Sequence, residues 1–232
     1  MQYRRYIISC TENTRDLGGY PTKDGGVTRF GMFVRSDAWI NAPESDIEFI
    51  KKIGVRTVVD LRTREQVSRA PHSLSAENGF NYINFSVLGG AKIPDTLEEY
   101  PITYMEMMGG SEYVRDVFKA FAANDGPILF NCSAGKDRTG VITGLLLEIC
   151  GVADVDIFAE YMLSAEYMHD NILRNAPIED FDPYVVTPNR ITWEKFLAMF
   201  REKYGNAHDY LIGAGVTEEE ISTIVQRFVQ HD

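Results

Sequence analysis

Cys132 and Arg138 are separated by Ser133-Ala134-Gly135-Lys136-Asp137. A thiolate is a strong nucleophile, and a guanidinium just beyond it offers a planar fork that grips two oxygens of a tetrahedral anion, a geometry lysine does not reproduce. The spacing alone is a weak signal, and its surroundings make it specific. Before the cysteine, Ile128-Leu129-Phe130 is a short apolar run that reads as a buried strand, set off by the breaker Asn124-Asp125-Gly126-Pro127. After it, Ala134-Gly135 lets backbone amides approach an anion, and Arg138-Thr139-Gly140 opens an apolar helix that runs to Gly151. A helix N-terminus favours negative charge, so the same loop would bind phosphate oxygens and lower the thiol pKa. Cys132 is therefore the candidate nucleophile and Arg138 the clamp. Ser133, Ala134 and Gly135 belong to the phosphate cradle, and the Thr139 hydroxyl is a candidate donor to the sulfur. Gly140 and Gly144, four apart, share a helix face suited to close packing.

The flanking chain must hold this loop. Around Asp24-Gly25-Gly26 the alternating short apolar runs predict a β-hairpin. Residues 44 to 53 read as a short helix ended by Gly54. Val55 to Arg62 is β-branched and apolar, which suits a buried parallel strand; a helix over 64 to 70 and a strand from Phe80 to Val87 follow. This strand–helix–strand rhythm implies an α/β sheet whose ligand site lies beyond the carboxyl ends of its strands, where Asp60, Arg62 and Cys132 would meet. The segment 88 to 110, bracketed by Gly89-Gly90 and Gly109-Gly110 and carrying Tyr100, Tyr104, Met105, Met107 and Met108, reads either as a flap over the site or as an apolar cap on the sheet. Glu112 to Ala123 is an amphipathic helix. After Gly151 the chain is helical over 154 to 173, 190 to 204, 207 to 212 and 217 to 230. Pro177, Pro183 and Pro188 punctuate the loop between the first two of these, and Thr217 and Glu220 form a capping box. No repeat or linker divides residues 1–232, so one domain is expected.

Composition narrows the function. At 44% apolar and 25% charged residues the chain is ordinary globular protein, and a net charge of −11 argues against a nucleic-acid binder. A phosphorylated substrate must then be captured by a local positive site against an unfavourable overall field. Three cysteines without Cys-x-x-Cys spacing point to reduced thiols and a cytoplasmic setting, though secretion without a visible signal stays open. No apolar run is long enough to span a membrane. The four histidines His72, His169, His208 and His231 form no ligand cluster, so neither metal nor other cofactor is expected. Oligomeric state is not legible.

The run Asn131-Cys132-Ser133-Ala134-Gly135-Lys136-Asp137-Arg138-Thr139-Gly140 closely resembles the phosphate-binding loop of the bacterial atypical tyrosine phosphatases, usually His-Cys-x-Ala-Gly-Lys-Asp-Arg-Thr-Gly. The resemblance extends to Arg15-Asp16-Leu17-Gly18-Gly19, Arg35-Ser36-Asp37, Asp60-Leu61-Arg62 and the C-terminal segment from Gly215 to Glu220, nearly the whole chain. It implies a cysteine-phosphatase fold: a central, mostly parallel sheet flanked by helices, with a helical C-terminal part. It also implies hydrolysis of phosphotyrosine, and of phosphoserine, phosphothreonine or phosphoinositides, through phosphocysteine. In that scheme Cys132 is the nucleophile, Arg138 the clamp and Asp137 the acid, with Asp180 and Asp182 as rivals. Lys136 adds positive charge to the phosphate site and pairs with Asp60; Arg15 and Asp16 buttress the loop. The chain departs from the usual form at Asn131, which donates and accepts hydrogen bonds but carries no charge.

Two other classes compete with a phosphatase. A phosphate-recognising module with this fold and little turnover draws on Asn131 alone. A thiol oxidoreductase would need a resolving cysteine, and Cys10 and Cys150 lack the spacing for one. Cys150 reads as core, Cys10 as structural or surface, and Arg62 as structural.

Overall fold

The computed structural model describes residues 3–87, 93–179 and 181–231. Its strands are β1 (Arg15–Asp16), β2 (Val27–Thr28), β3 (Phe33–Ser36), β4 (Thr57–Asp60), β5 (Asn81–Asn84), β6 (Ile128–Asn131) and β7 (Val229–Gln230). Its helices are α1 (Glu44–Lys52), α2 (Arg64–Arg69), α3 (Glu99–Gly109), α4 (Ser111–Ala123), α5 (Asp137–Ile149), α6 (Asp154–Glu179), α7 (Pro183–Val186), α8 (Arg190–Tyr204), α9 (Ala207–Ala214) and α10 (Glu218–Phe228). The principal sheet runs β1-β3-β6-β4-β5, with β3, β6, β4 and β5 parallel and β1 antiparallel at the edge. The expected mixed α/β architecture, a mostly parallel sheet between helices, is present.

Strand pleating assigns the residues of the central strands to two cores. Phe33, Val59, Ile128 and Phe130 face the larger one, under α4, α5, α8, α9 and α10; Val34, Val58 and Leu129 face the smaller, with Trp39, α1 and Leu74. Register then aligns the carboxyl ends. Ser36, Asn131 and Asp60 are direct partners across β3, β6 and β4, and Asn84 continues the row on β5. The next residue along the chain after Asn131 is Cys132, which is why β6 delivers the cysteine to the sheet edge.

Helix α5 is buried on nearly every side from Arg138 to Leu147. Its glycines mark the closest packing: a Cβ on Gly140 would meet Tyr161 of α6 at 3.3 Å, and one on Gly144 would meet Trp193 of α8 at 3.2 Å.

Several boundaries differ from the sequence reading. The chain does turn at Asp24-Gly25-Gly26, with Gly25 at φ +87° and Thr22 N–H bonded to Gly26 O at 2.9 Å. Past the local bridge Pro21–Val27, however, β2 pairs with β7, so the turn clips the end of α10 to the N-terminal segment. Pro177 lies inside α6, which continues to Glu179; so close to the helix end a proline removes little hydrogen bonding. Pro183 opens α7, as suits a residue whose missing N–H is not needed there. The segment from Glu99 to Gly109 is a helix that buries Tyr100, Tyr104, Met107 and Met108, while residues 88–92 of the proposed flap lie outside the described residues. The capping box at Thr217 and Glu220 is formed, and α2 has a second one, between Thr63 and Gln66.

Candidate active site

The loop from Cys132 to Lys136 has its carbonyls bonded and most of its amides unbonded. Behind it, each carbonyl from Asn131 to Lys136 has a donor. Leu61 N–H reaches Asn131 O at 2.7 Å, Asn131 Nδ2 reaches Cys132 O at 3.2 Å, and Ala38 N–H reaches Ser133 O at 3.1 Å. Asn13 Nδ2 holds Ala134 O at 3.0 Å, Arg35 Nη2 holds Gly135 O, and Gly140 N–H closes on Lys136 O at 2.8 Å. The backbone N–H groups of Ser133, Ala134, Gly135 and Lys136 have no acceptor among the described residues. Four successive amides without partners at a helix N-terminus form a nest for an anion. Gly135 makes the turn possible: its φ is +66°, and a Cβ there would sit 2.5 Å from Ser36 O.

Cys132 and Arg138 both line one cleft of about 430 Å³. Cys132 is 2% exposed. Arg138 is fixed by three bonds: Nη1 to Leu61 O at 3.2 Å and to Gln66 Oε1 at 2.9 Å, and Nη2 to Ser133 Oγ at 3.2 Å. Its Nε is buried without a partner, so the edge formed by Nε and Nη2 keeps donors for two anion oxygens. The Thr139 hydroxyl is buried and unpartnered; it makes no bond to the sulfur, contrary to the sequence expectation.

Lys136 also departs from expectation. Its ammonium does not pair with Asp60 but donates to Val186 O and to Tyr100 Oη at 3.3 Å, and lies 3.4 Å from Asp137 Oδ1. Asp60 is taken instead by Arg62, with Nη2–Oδ2 at 2.7 Å, and also accepts from Tyr82 at 2.8 Å. Burial by itself would raise the Asp60 carboxyl, but Arg62 outweighs it and holds the group below the usual carboxylate range. The reason for the exchange is reach: Arg62 is two residues from Asp60 on the same strand end, while α7 brings a carbonyl to Lys136.

Asp137, the first residue of α5, lines the cleft and accepts a hydrogen bond from Tyr104 Oη at 2.6 Å on Oδ1. Of its rivals, Asp180 is outside the described residues, and Asp182 caps α7 by accepting from Tyr184 N–H at 2.8 Å. Arg15 is buried beneath the loop with Arg35 and Glu160, and Asp16 accepts from Gly18 and Gly31 amides and from Tyr6.

Sequence reading missed Gln66, Tyr104 and Asn13, which bond to Arg138, Asp137 and Ala134 from distant segments, and Glu160, which pairs with Arg15 and Arg35. One signal was present: Glu160 is an acid among Ile157, Tyr161 and Ser164, positions spaced to face a core. Among the described residues, no group of three or more metal-ligating side chains occurs, and no helix is long and apolar enough to cross a membrane.

Comparison with known proteins places the chain among phosphatases. The model of the tyrosine phosphatase family matches residues 7–230. A tyrosine-protein phosphatase of Nostoc commune is 31% identical over 221 residues, covering 85% of this chain and 74% of that protein. The triple specificity protein phosphatase PtpB of Mycobacterium tuberculosis is 23% identical over 263 residues, covering 90% and 94%. Among solved structures, TpbA of P. aeruginosa aligns over 72% of this chain and 86% of its own, at 15% identity and a TM-score of 0.32. The chain belongs to the tyrosine phosphatase family and is a phosphatase.

Proposed function

We propose that this phosphatase acts on phosphotyrosine in proteins, and by the same chemistry on other phosphomonoesters that reach the cleft floor, through a phosphocysteine intermediate. The observation that carries the reading is the loop itself: four successive amides with no partner among the described residues and an arginine edge left open, both beside Cys132. In the first step Cys132 Sγ attacks phosphorus, the S–P bond forms, and the bond from phosphorus to the leaving oxygen breaks as Asp137 supplies that oxygen with a proton. In the second, water attacks phosphorus, Asp137 takes its proton, the S–P bond breaks and phosphate leaves. Arg138 and the loop amides stabilise the charge on the equatorial oxygens in both steps. Asp60 and Asn131 brace the loop, and the Ser133 hydroxyl adds a polar group to the cleft lining.

The walls favour an aryl group over a polyphosphorylated headgroup. Ile93, Pro94, Met168, Ile172, Phe181 and Val186 line the cleft above the loop. The Lys136 ammonium already has two acceptors and an ion-pair partner in Asp137, and Glu12 and Asp37 add negative charge to the rim. Phosphoinositides are the less favoured substrates on this reading.

A thiol oxidoreductase has little support. Cys150 lies at the far end of α5 from Cys132, and 13 helical residues span about 20 Å, well beyond disulfide reach. Burial pushes the Cys10 and Cys150 thiols up to about 12, so neither is a ready attacking thiolate.

The test is hydrolysis of p-nitrophenyl phosphate in reducing, metal-free buffer, with rapid quenching to trap phosphate on Cys132. Cys132→Ser should abolish turnover. Appreciable turnover by that variant, or trapped phosphate on another residue, overturns the mechanism; no turnover by the unmodified protein leaves a phosphate-recognising module.

A further inference from the structure

The hydroxyl of Tyr104 has no explanation as core filling. Its ring does: Tyr104 is fully buried on α3, edge-on to Phe196 at 5.4 Å and to Trp193 at 6.4 Å, and phenylalanine would occupy the same space. A buried hydroxyl in such surroundings costs stability unless it is bonded. This one has two partners, Asp137 Oδ1 at 2.6 Å and Tyr161 Oη at 2.8 Å. Asp137 Oδ1 accepts the hydrogen bond from the Tyr104 hydroxyl, so Tyr161 donates to Tyr104, and the two phenols form a directed chain that ends on the carboxyl. Tyr161 is itself immobilised by stacking on Trp193, at 4.4 Å and 23°. Lys136 Nζ approaches the same Oδ1 at 3.4 Å.

We propose that Tyr104 is a positioning residue for Asp137: by occupying Oδ1 it confines the transferable proton to Oδ2 and fixes the carboxyl plane toward the leaving oxygen. This rests on the reading of Asp137 as the acid. Helix α3 is then part of the catalytic apparatus. Its Tyr100 and Tyr104, one turn apart, hold the two charged residues at the start of α5, Lys136 and Asp137. A carboxyl free to rotate would present its proton to the leaving group only part of the time, and the loss would be felt most where the leaving group needs that proton.

The experiment compares kcat/KM of Tyr104→Phe on phenyl phosphate, a poor leaving group, with that on 2,4-dinitrophenyl phosphate, a good one. Asp137→Asn is run in parallel, and vanadate inhibition and urea unfolding are measured for each protein. For Tyr104→Phe the ratio of the two kcat/KM values should shift against phenyl phosphate by about 10-fold, with vanadate affinity kept. An equal loss on both substrates, or none on either, overturns the positioning role. If Asp137→Asn itself shows no leaving-group dependence, the acid assignment falls instead. Should Tyr104→Phe unfold because the Tyr161 hydroxyl is orphaned, the double variant Tyr104→Phe/Tyr161→Phe, which leaves no unpaired phenol, carries the same comparison.

Discussion

His72 Nε2 lies 3.2 Å from Asn131 Oδ1, directly behind the cysteine. Leu74 N–H donates to His72 Nδ1 at 3.0 Å, which leaves the ring proton on Nε2 to be donated to Asn131. Asn131 Nδ2 then donates to Cys132 O at 3.2 Å and faces Asp60 Oδ1 at 3.4 Å. Where the family's usual loop has an imidazole next to the cysteine, this chain has an amide with an imidazole one step further back. Asn131→Ala would orphan the His72 N–H and uncover the Cys132 carbonyl in a dry site. It should lower stability to urea by about 1–3 kcal/mol and reduce kcat/KM on an aryl phosphate. Unchanged values for both would show that the relay does not brace the loop.

The same pair sets a pH dependence. Burial pushes His72 down to about 4, against the opposing pull of Asp60. Its folded pKa is thus below the ordinary 6.5, so between these values the unfolded chain holds a proton that the folded chain refuses. The stability this contributes is fully present above pH 6.5 and is lost as pH falls toward 4. Asp37 runs the opposite way: burial raises it to about 6, and its contribution is lost as pH rises from the ordinary carboxylate range through that value. His72→Gln keeps a donor for Asn131 and removes the titration. The difference in unfolding free energy between pH 7.5 and pH 5 should shrink by about 2 kcal/mol relative to the unmodified protein; an unaltered difference would mean that His72 already carries its proton in the fold.

Gly135 offers a sharper probe of the loop than any charged residue. Alanine there faces both φ +66° and a 2.5 Å approach to Ser36 O, which is backbone and cannot step aside. The loop must lift from the end of β3, dragging the amide cradle with it. Gly135→Ala should remain folded, at a cost of about 1–3 kcal/mol, yet lose about 100-fold or more in kcat/KM. Crystals of the variant soaked with phosphate would show whether the cradle has shifted. Full activity would mean that the amides do not bind the substrate.

How much of this was legible in sequence follows from how the parts are wired. Cys132, Asp137 and Arg138 are neighbours on one loop, and the strand before it and the helix after it are local patterns, so the chemistry could be read directly. The donors that hold the loop's carbonyls come from elsewhere: Asn13 is 121 residues from Ala134, and Arg35 is 100 from Gly135. No spacing rule connects them. Tyr104 read as core because a tyrosine among methionines at helical spacing usually is, and its ring obeys that rule while its hydroxyl does not. Lys136 went to Val186 because α7, a four-residue helix after Asp182, has no sequence signal strong enough to place its last carbonyl.

The charge cluster under the loop gives the last prediction. Arg15, Arg35 and Glu160 are each at most 1% exposed. Arg15 Nε lies 2.5 Å from Glu160 Oε1, and Arg35 Nη1 bonds Oε2. Burial alone would raise the Glu160 carboxyl, but the two arginines together hold it below the usual range; burial, and then Arg15, bring Arg35 down to about 10. Arg35 spans the gap between this cluster and the loop, because its other nitrogen holds Gly135 O. Glu160→Gln preserves shape and one acceptor but leaves two buried guanidinium groups without a counter-charge, which should cost about 3–5 kcal/mol in urea unfolding. Arg35→Lys keeps the charge, yet a single ammonium cannot reproduce the planar reach to Glu160 and Gly135 together. It should lose less stability than Glu160→Gln while raising the phosphate inhibition constant by about 10-fold, since the tether to the cradle is what it breaks. If Arg35→Lys binds phosphate as tightly as the unmodified protein, the remaining donors to the loop carbonyls hold the cradle without Arg35, and the cluster serves only to join α6 to the sheet.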